Sequence, residues 1–194
     1  MSTDDAPCIG VLALQGGFAA HAAVLGRLDA RVREVRTPGD LDGLDGLVLP
    51  GGESTTMTLG IEREGLAGPL RELAAAGTPV LGTCAGLILL DRDHLGVMDI
   101  VARRNAFGRQ LHSFEADLDF PDLDGGSVRA VFIRAPWIDE AGPRVEVLAA
   151  VDGHPVAARQ GELHVLSFHP ELSEDDRLHR AFVERVRAVK AARG

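Results

Sequence analysis

Thr78-Pro79-Val80-Leu81-Gly82-Thr83-Cys84-Ala85-Gly86-Leu87-Ile88-Leu89-Leu90 is the stretch that decides the fold. It opens as a short buried strand and closes on an apolar run that continues as a helix. Between the two, a cysteine stands between spaced glycines. That is the thiol version of a nucleophile elbow. The glycines permit a tight, strained turn that a side chain would block. The sulfur is then placed at the start of a helix, whose dipole favours an anion. The same pattern also makes an ordinary strand-to-helix link with an inert, packed cysteine. The elbow alone leaves both readings open.

Outward from the elbow, short apolar strands alternate with helices. Strands are predicted at Cys8 to Leu14, Val32 to Val35, Leu47 to Leu49 and Val80 to Thr83. Helices are predicted at Phe18 to Leu28, Thr55 to Glu64 and Leu66 to Ala76, with Gly77 as a stop. This alternation implies an α/β fold, a parallel sheet covered on both faces. The second half differs. Phe114 to Phe120, Val128 to Ile133, Val145 to Val151, Pro155 to Gln160 and Leu163 to Phe168 are strand-like runs separated by Gly, Pro and Asp turns. They predict antiparallel pairs grafted on the parallel sheet. Leu178 to Ala192 closes as a helix, where basic residues alternate with apolar Leu178, Phe182, Val183, Val186 and Val189, which suits an amphipathic surface helix. There is no repeat and no linker, so residues 1–194 read as one domain.

Composition excludes several classes. Lys and Arg total 20 against 29 Asp and Glu, a formal charge of −9, which argues against nucleic-acid binding. No apolar run is long enough to span a membrane, and the acidic N-terminus lacks the basic region of a signal peptide. The two cysteines, Cys8 and Cys84, have no metal-ligand spacing and fit a reduced, cytoplasmic protein. None of the seven histidines suggests a metal cluster; His21, His94, His112, His154, His164 and His179 read as ordinary helix, loop or strand residues. No cofactor is implied.

Two further segments sit at predicted strand ends on the elbow's side of the sheet, where open α/β sheets bind ligands. Ser167-Phe168-His169-Pro170-Glu171 follows a strand. Pro170 biases His169 toward an extended backbone, which would put His169 and Glu171 on one side. The pair then supplies a base and the carboxylate that orients it. Leu49-Pro50-Gly51-Gly52-Glu53-Ser54 also ends a strand and precedes a helix. The N–H groups of Gly52 and Ala85 can form an oxyanion hole. Ser54 is a good helix N-cap. Each motif alone has an ordinary structural reading; their joint order is the specific signal.

In these residues the chain resembles the class I, or triad, glutamine amidotransferases. Within them it is most similar to the glutaminase subunits of pyridoxal 5′-phosphate synthases. The similarity covers GVLALQG (10–16), LPGGESTTM (49–57), GTCAGLILL (82–90), RNAFGRQ (104–110), SFEADL (113–118), VFIRAP (131–136) and SFHPEL (167–172). It implies a three-layer, flavodoxin-like α/β fold. It implies Cys84 as nucleophile with His169 and Glu171 completing the triad. It implies Gly52, Glu53 and Ser54 as the glutamine-binding loop, and Arg104, Ile133 and Arg134 as substrate-binding; the role does not carry to Arg103 or Arg109. Family members commonly have a longer loop where this chain has only Asp91-Arg92-Asp93.

The resemblance further implies hydrolysis of L-glutamine to glutamate and ammonia. The ammonia would pass to a (β/α)8-barrel synthase subunit in a large hetero-oligomer. The chain has no phosphate-binding P-loop and no length for an acceptor domain, which fits a separate synthase. Gln15 and the Gly16-Gly17 loop are placed at the same strand ends, where a docking face is expected. Other readings stand beside this one: a glutaminase serving a different acceptor such as histidine biosynthesis, another elbow-cysteine hydrolase, or a non-catalytic regulatory subunit of the same fold.

Overall fold

A computed structural model of the chain describes residues 6–107 and 113–193. The first half comprises β1 (Cys8–Leu12), α1 (Phe18–Arg27), β2 (Arg31–Val35), β3 (Gly46–Leu49), α2 (Ser54–Arg63), α3 (Ala67–Ala75), β4 (Val80–Thr83) and α4 (Ala85–Leu90). The second half comprises β5 (Ile100–Arg103), β6 (Ser113–Leu118), β7 (Val128–Ile133), β8 (Trp137–Ala141), β9 (Glu146–Val151), β10 (His154–Gln160), β11 (Leu163–Leu166) and α5 (Arg177–Arg193). Among the described residues no helix is long and apolar enough to cross a membrane.

Seven strands form one sheet in the order β2-β1-β3-β4-β11-β10-β9. The pairings from β2 through β11 are parallel, and β10 and β9 are added antiparallel at one edge. Side chains alternate across a strand, so each apolar strand feeds two cores. Ile9, Val11, Val48, Leu81 and Leu166 join Val24 and Leu25 of α1 and Phe182, Val183 and Val186 of α5. Cys8, Leu12, Leu47, Leu49, Val80 and Val165 join Met57, Leu70 and the apolar face of α4 on the other side. The layers are therefore helix, sheet, helix, as the alternation of elements predicts.

The second half only partly follows its prediction. β9 and β10 do extend the main sheet, but β6 and β7 pair as a separate two-stranded sheet. The reason is polarity. Glu115, Asp117 and Arg129 face outward and pair with one another, so this hairpin has a single apolar face. That face packs Phe114 and Phe132 in a stack with centroids 4.5 Å apart, beneath which lies Phe168. β5 and β8 form another small sheet that hydropathy did not reveal. Both are short, their pairing is long-range, and β8 carries Asp139 and Glu140. Phe168 belongs to no strand; the next residue, His169, donates its N–H to Val131 O of β7 at 2.9 Å.

The loop after α4 is closed by one buried carboxylate. Asp91 Oδ1 accepts from the backbone N–H groups of Asp93 and His94 and lies 2.7 Å from His94 Nδ1, while Oδ2 accepts from Ala102 N–H. It ties the end of α4 to β5.

The elbow's glycines act by close approach. A Cβ at Gly86 would sit 2.0 Å from Leu49 O, and one at Gly82 would sit 2.7 Å from Gly86 O. The positive φ belongs instead to Cys84, at φ 50 and ψ −106. Such a backbone costs about 1–3 kcal/mol in a non-glycine residue. The expected outcome of Gly86→Ala is a loss of about 1–3 kcal/mol of unfolding free energy, since the end of β3 must move. Urea denaturation of the two proteins measures it, and an unchanged midpoint refutes the contact.

Candidate active site

Three strand ends converge because of register. Leu49 of β3 lies opposite Gly82 of β4, and Leu166 of β11 lies opposite Thr83. The residues that follow these strands are therefore neighbours: Pro50 to Gly52, Cys84, and Ser167 to His169. Cys84 N–H donates to Leu166 O at 2.8 Å, which locks the elbow to the end of β11, just before His169. Gly51 completes the approach. A Cβ there would sit 2.4 Å from His169 Cε1 and 3.2 Å from Cys84 Cβ.

His169 Nδ1 lies 2.7 Å from Glu171 Oε1. The extended geometry predicted for this pair is not what brings them together. Pro170–Leu172 is a single 3-10 turn, with Pro170 at its first position. Proline's fixed φ suits that turn and swings Glu171 back beneath the ring. Burial alone disfavours an imidazolium at His169, but its interactions with Cys84 and Glu171 outweigh it, pushing its pKa up to about 10. Burial likewise opposes ionising Glu171, yet its contacts with His169 and His21 hold it below the usual carboxylate value.

Cys84 and His169 open on a cleft of about 270 Å³. Of the residues singled out from sequence, Gly52, Glu53, Ser54, Ala85, Arg104, Ile133 and Arg134 line it with them. Glu171 does not; it stands behind His169, with a nearly buried side chain. Arg103 lies away from the wall, over the ring of Trp137, while Gly108 to Gln110 and His112 fall outside the described residues. Strained backbone collects on the wall: Cys84, Asn105 and Arg134 all have positive φ. A second, mostly apolar cavity of about 240 Å³ lies between Phe120 and α5 and holds none of these residues.

The loop after β3 is pinned from two sides. Gly51 O accepts from Gly17 N–H at 2.9 Å, and Glu53 N–H donates to Gln15 Oε1 at 2.8 Å. Gln15 thus points into the cleft, where sequence suggested only a place on a docking face. The cap of α2 also differs from expectation: Ser54 is the first helical residue and Glu53 is the N-cap. The longer side chain reaches the N–H groups of Thr55 and Thr56, at 3.1 and 2.7 Å. Bonds from the Thr56 hydroxyl and from these two N–H groups hold Glu53 down at about 2. Its Oε1 also accepts from Arg104 Nη2 at 3.1 Å, so an anion and a cation sit side by side at the cleft mouth. Ala85 N–H, in the first turn of α4, has no helical acceptor, which leaves it free for a ligand.

Residues 11–188 match the model of the SNO glutamine amidotransferase family. The chain belongs to that family. It is 54% identical to a pyridoxal 5′-phosphate synthase subunit PdxT of Parafrankia sp., over 94% of this chain and 95% of that one. It is 51% identical to the PdxT of Mycobacteroides abscessus, over 94% and 98% of the two chains. A solved glutamine amidotransferase superposes with a TM-score of 0.86 at 45% identity, covering 92% of this chain and 98% of that one.

Sequence reasoning missed what lies behind His169 and Glu171. His21 and His179, read as ordinary residues, are fully buried there. A histidine on the apolar face of each helix was the available signal, at positions that the helical period turns inward.

A group whose folded pKa is raised contributes stability below its unfolded value and loses it as pH rises through the folded value. His169 therefore favours folding fully below about 6.5, and that contribution fades only as pH rises toward about 10. Histidine ring resonances followed by NMR are expected to show His169 still cationic at about pH 8, where an ordinary histidine is neutral. A midpoint near 6.5 refutes the pairing.

Proposed function

We propose that this chain is a glutaminase that hydrolyses L-glutamine to L-glutamate and ammonia for pyridoxal 5′-phosphate synthesis. The observation that carries it is the Cys84–His169–Glu171 geometry at the foot of an open cleft, in a chain about half identical to PdxT subunits. The relatives are named as synthase subunits, so a synthase partner receives the ammonia. We assign that partner to a (β/α)8-barrel in a large hetero-oligomer, and the whole activity of this chain to one glutaminase domain spanning residues 1–194.

In this reading Cys84, as thiolate, attacks the side-chain carbonyl carbon of glutamine. The tetrahedral oxyanion takes the N–H groups of Ala85 and Gly52. His169, oriented by Glu171, gives its proton to the departing nitrogen, and ammonia leaves with formation of a glutamyl thioester. Water then attacks the thioester carbonyl. His169 removes the water's proton, the C–S bond breaks, and glutamate departs with the thiolate restored. At the mouth, Glu53 is held ionised to face the α-amino group, and Arg104 to face the α-carboxylate. Ser54 and the backbone of Ile133 and Arg134 complete the wall; Ile133 O stands 4.0 Å from the sulfur.

Ammonia release by the chain with its synthase partner tests the assignment. Cys84→Ala is expected to abolish glutamine-dependent synthesis while synthesis from added ammonium salts continues. Ammonia release that survives the substitution overturns the nucleophile. Arg104→Ala is expected to raise KM for glutamine about tenfold with a smaller change in kcat, since the arginine holds substrate and transition state alike. Loss confined to kcat refutes that role.

A further inference from the structure

The steps above use neither His21 nor His179, yet both are fully buried against the triad. His21 rises from α1 and His179 from α5, and their rings meet edge to edge: His21 Nδ1 lies 2.9 Å from His179 Nε2. The other nitrogen of His21 faces the end of β4 and the triad. Nε2 is 3.1 Å from Thr83 Oγ1 and 3.2 Å from Glu171 Oε2. Oε2 is the carboxylate oxygen not used by His169. It has no aligned hydrogen bond from any described residue, so His21 is its polar neighbour.

Burial favours the neutral, singly protonated form of each ring. Burial pulls both downward, His179 to about 3. Glu171 and Asp176 favour a second proton, while His169, Arg27 and the other ring of the pair oppose it. Two arrangements are then available. If His21 Nδ1–H donates to His179, the lone pair on His21 Nε2 faces a carboxylate at 3.2 Å. The remaining proton of His179 then sits on Nδ1, a buried atom with no acceptor among the described residues. If His179 Nε2–H donates to His21 Nδ1, both faults vanish. His21 Nε2–H then lies toward Thr83 Oγ1 and Glu171 Oε2, and the unpaired atom is an acceptor rather than a donor. A repulsive contact and an orphaned buried donor are both unfavourable, so the second arrangement holds.

We infer that His21, in the Nε2–H tautomer set by His179, is a positioning residue for the triad. It anchors the far oxygen of Glu171, so that the near oxygen stays aimed at His169 Nδ1. A carboxylate bonded at one oxygen can rotate about its last bond; the His21 Nε2–H, 3.2 Å from the other oxygen, attracts it electrostatically without an aligned hydrogen bond and so disfavours that rotation. His21 touches neither glutamine nor sulfur, and it acts through Glu171. The catalytic consequence rests on the glutaminase reading, whereas the tautomer does not.

The test has two arms. In the first, the full chain is labelled with ¹⁵N at histidine and its ring nitrogens are observed near neutral pH. His21 is expected to be protonated on Nε2 and bare on Nδ1; a cation, or the opposite tautomer, overturns the inference. In the second, glutamine hydrolysis is measured with the synthase partner present. His21→Leu is expected to lower kcat about tenfold or more with KM little changed, as misplacement of a catalytic group does. It is also expected to move the His169 titration toward its ordinary value. His21→Gln returns an amide N–H near Nε2 and is expected to recover most of the rate. Wild-type kcat in His21→Leu overturns the inference, as does a Gln variant no better than the Leu variant. Where His21→Leu fails to fold, the tautomer in the unaltered chain decides. A fully active His21→Leu beside an inactive Cys84→Ala defeats this inference alone; an active Cys84→Ala defeats the glutaminase reading and leaves the tautomer standing.

Discussion

The bond from Cys84 N–H to Leu166 O, 2.8 Å long, is the constraint on which the site depends. It carries the parallel pairing of β4 and β11 one residue past the last strand pair. That single step places a sulfur and an imidazole from distant parts of the chain at the same height. The pairing is non-local, because β4 and β11 are separated by the whole second half of the molecule. The elements between them are consequently arranged around it. β9 and β10 close the sheet edge beyond β11, while β6 and β7 cap the aromatic cluster on which Phe168 rests.

Helix placement serves the same end. α4 can lie close to β3 because Gly86 has no side chain facing Leu49 O. α2 begins beside the cleft because Glu53 caps it, and that cap uses a carboxylate that also faces Arg104. α1 and α5 share the opposite face of the sheet, where their inward histidines replace part of an apolar core. Polar groups at such depth are tolerated when they are paired. Here the partners are the two rings themselves, Thr83 and Glu171.

Much of this was legible in the chain itself. Strands β1, β3 and β4 and helices α1, α2 and α3 could be read from hydropathy to within a residue or two, because each is local in cause. The motifs at Gly52, Cys84 and His169 could be read because their residue types have few other uses in that order. Contacts whose cause is non-local were hidden. Gln15 reaches Glu53 across 38 positions, and His21 reaches His179 across 158. No periodicity encodes those distances. The turn at Pro170 was misjudged for another reason: proline fits both an extended neighbour and the first position of a 3-10 turn, and only the packing of Glu171 selects between them.

The backbone of Cys84 carries a broader meaning. At φ 50 and ψ −106 the position suits glycine better than any residue with a side chain. A sequence shaped by folding stability alone would put glycine there. Strain of this kind persists only where the surrounding structure over-determines it, and Cys84 is buried with its N–H bonded to Leu166 O. On the proposed glutaminase reading, the thiol sits where stability is given up for reactivity, and the sheet, through its bond to Leu166, bears the cost. The elbow marks the point in this fold where the interests of folding and of chemistry are opposed.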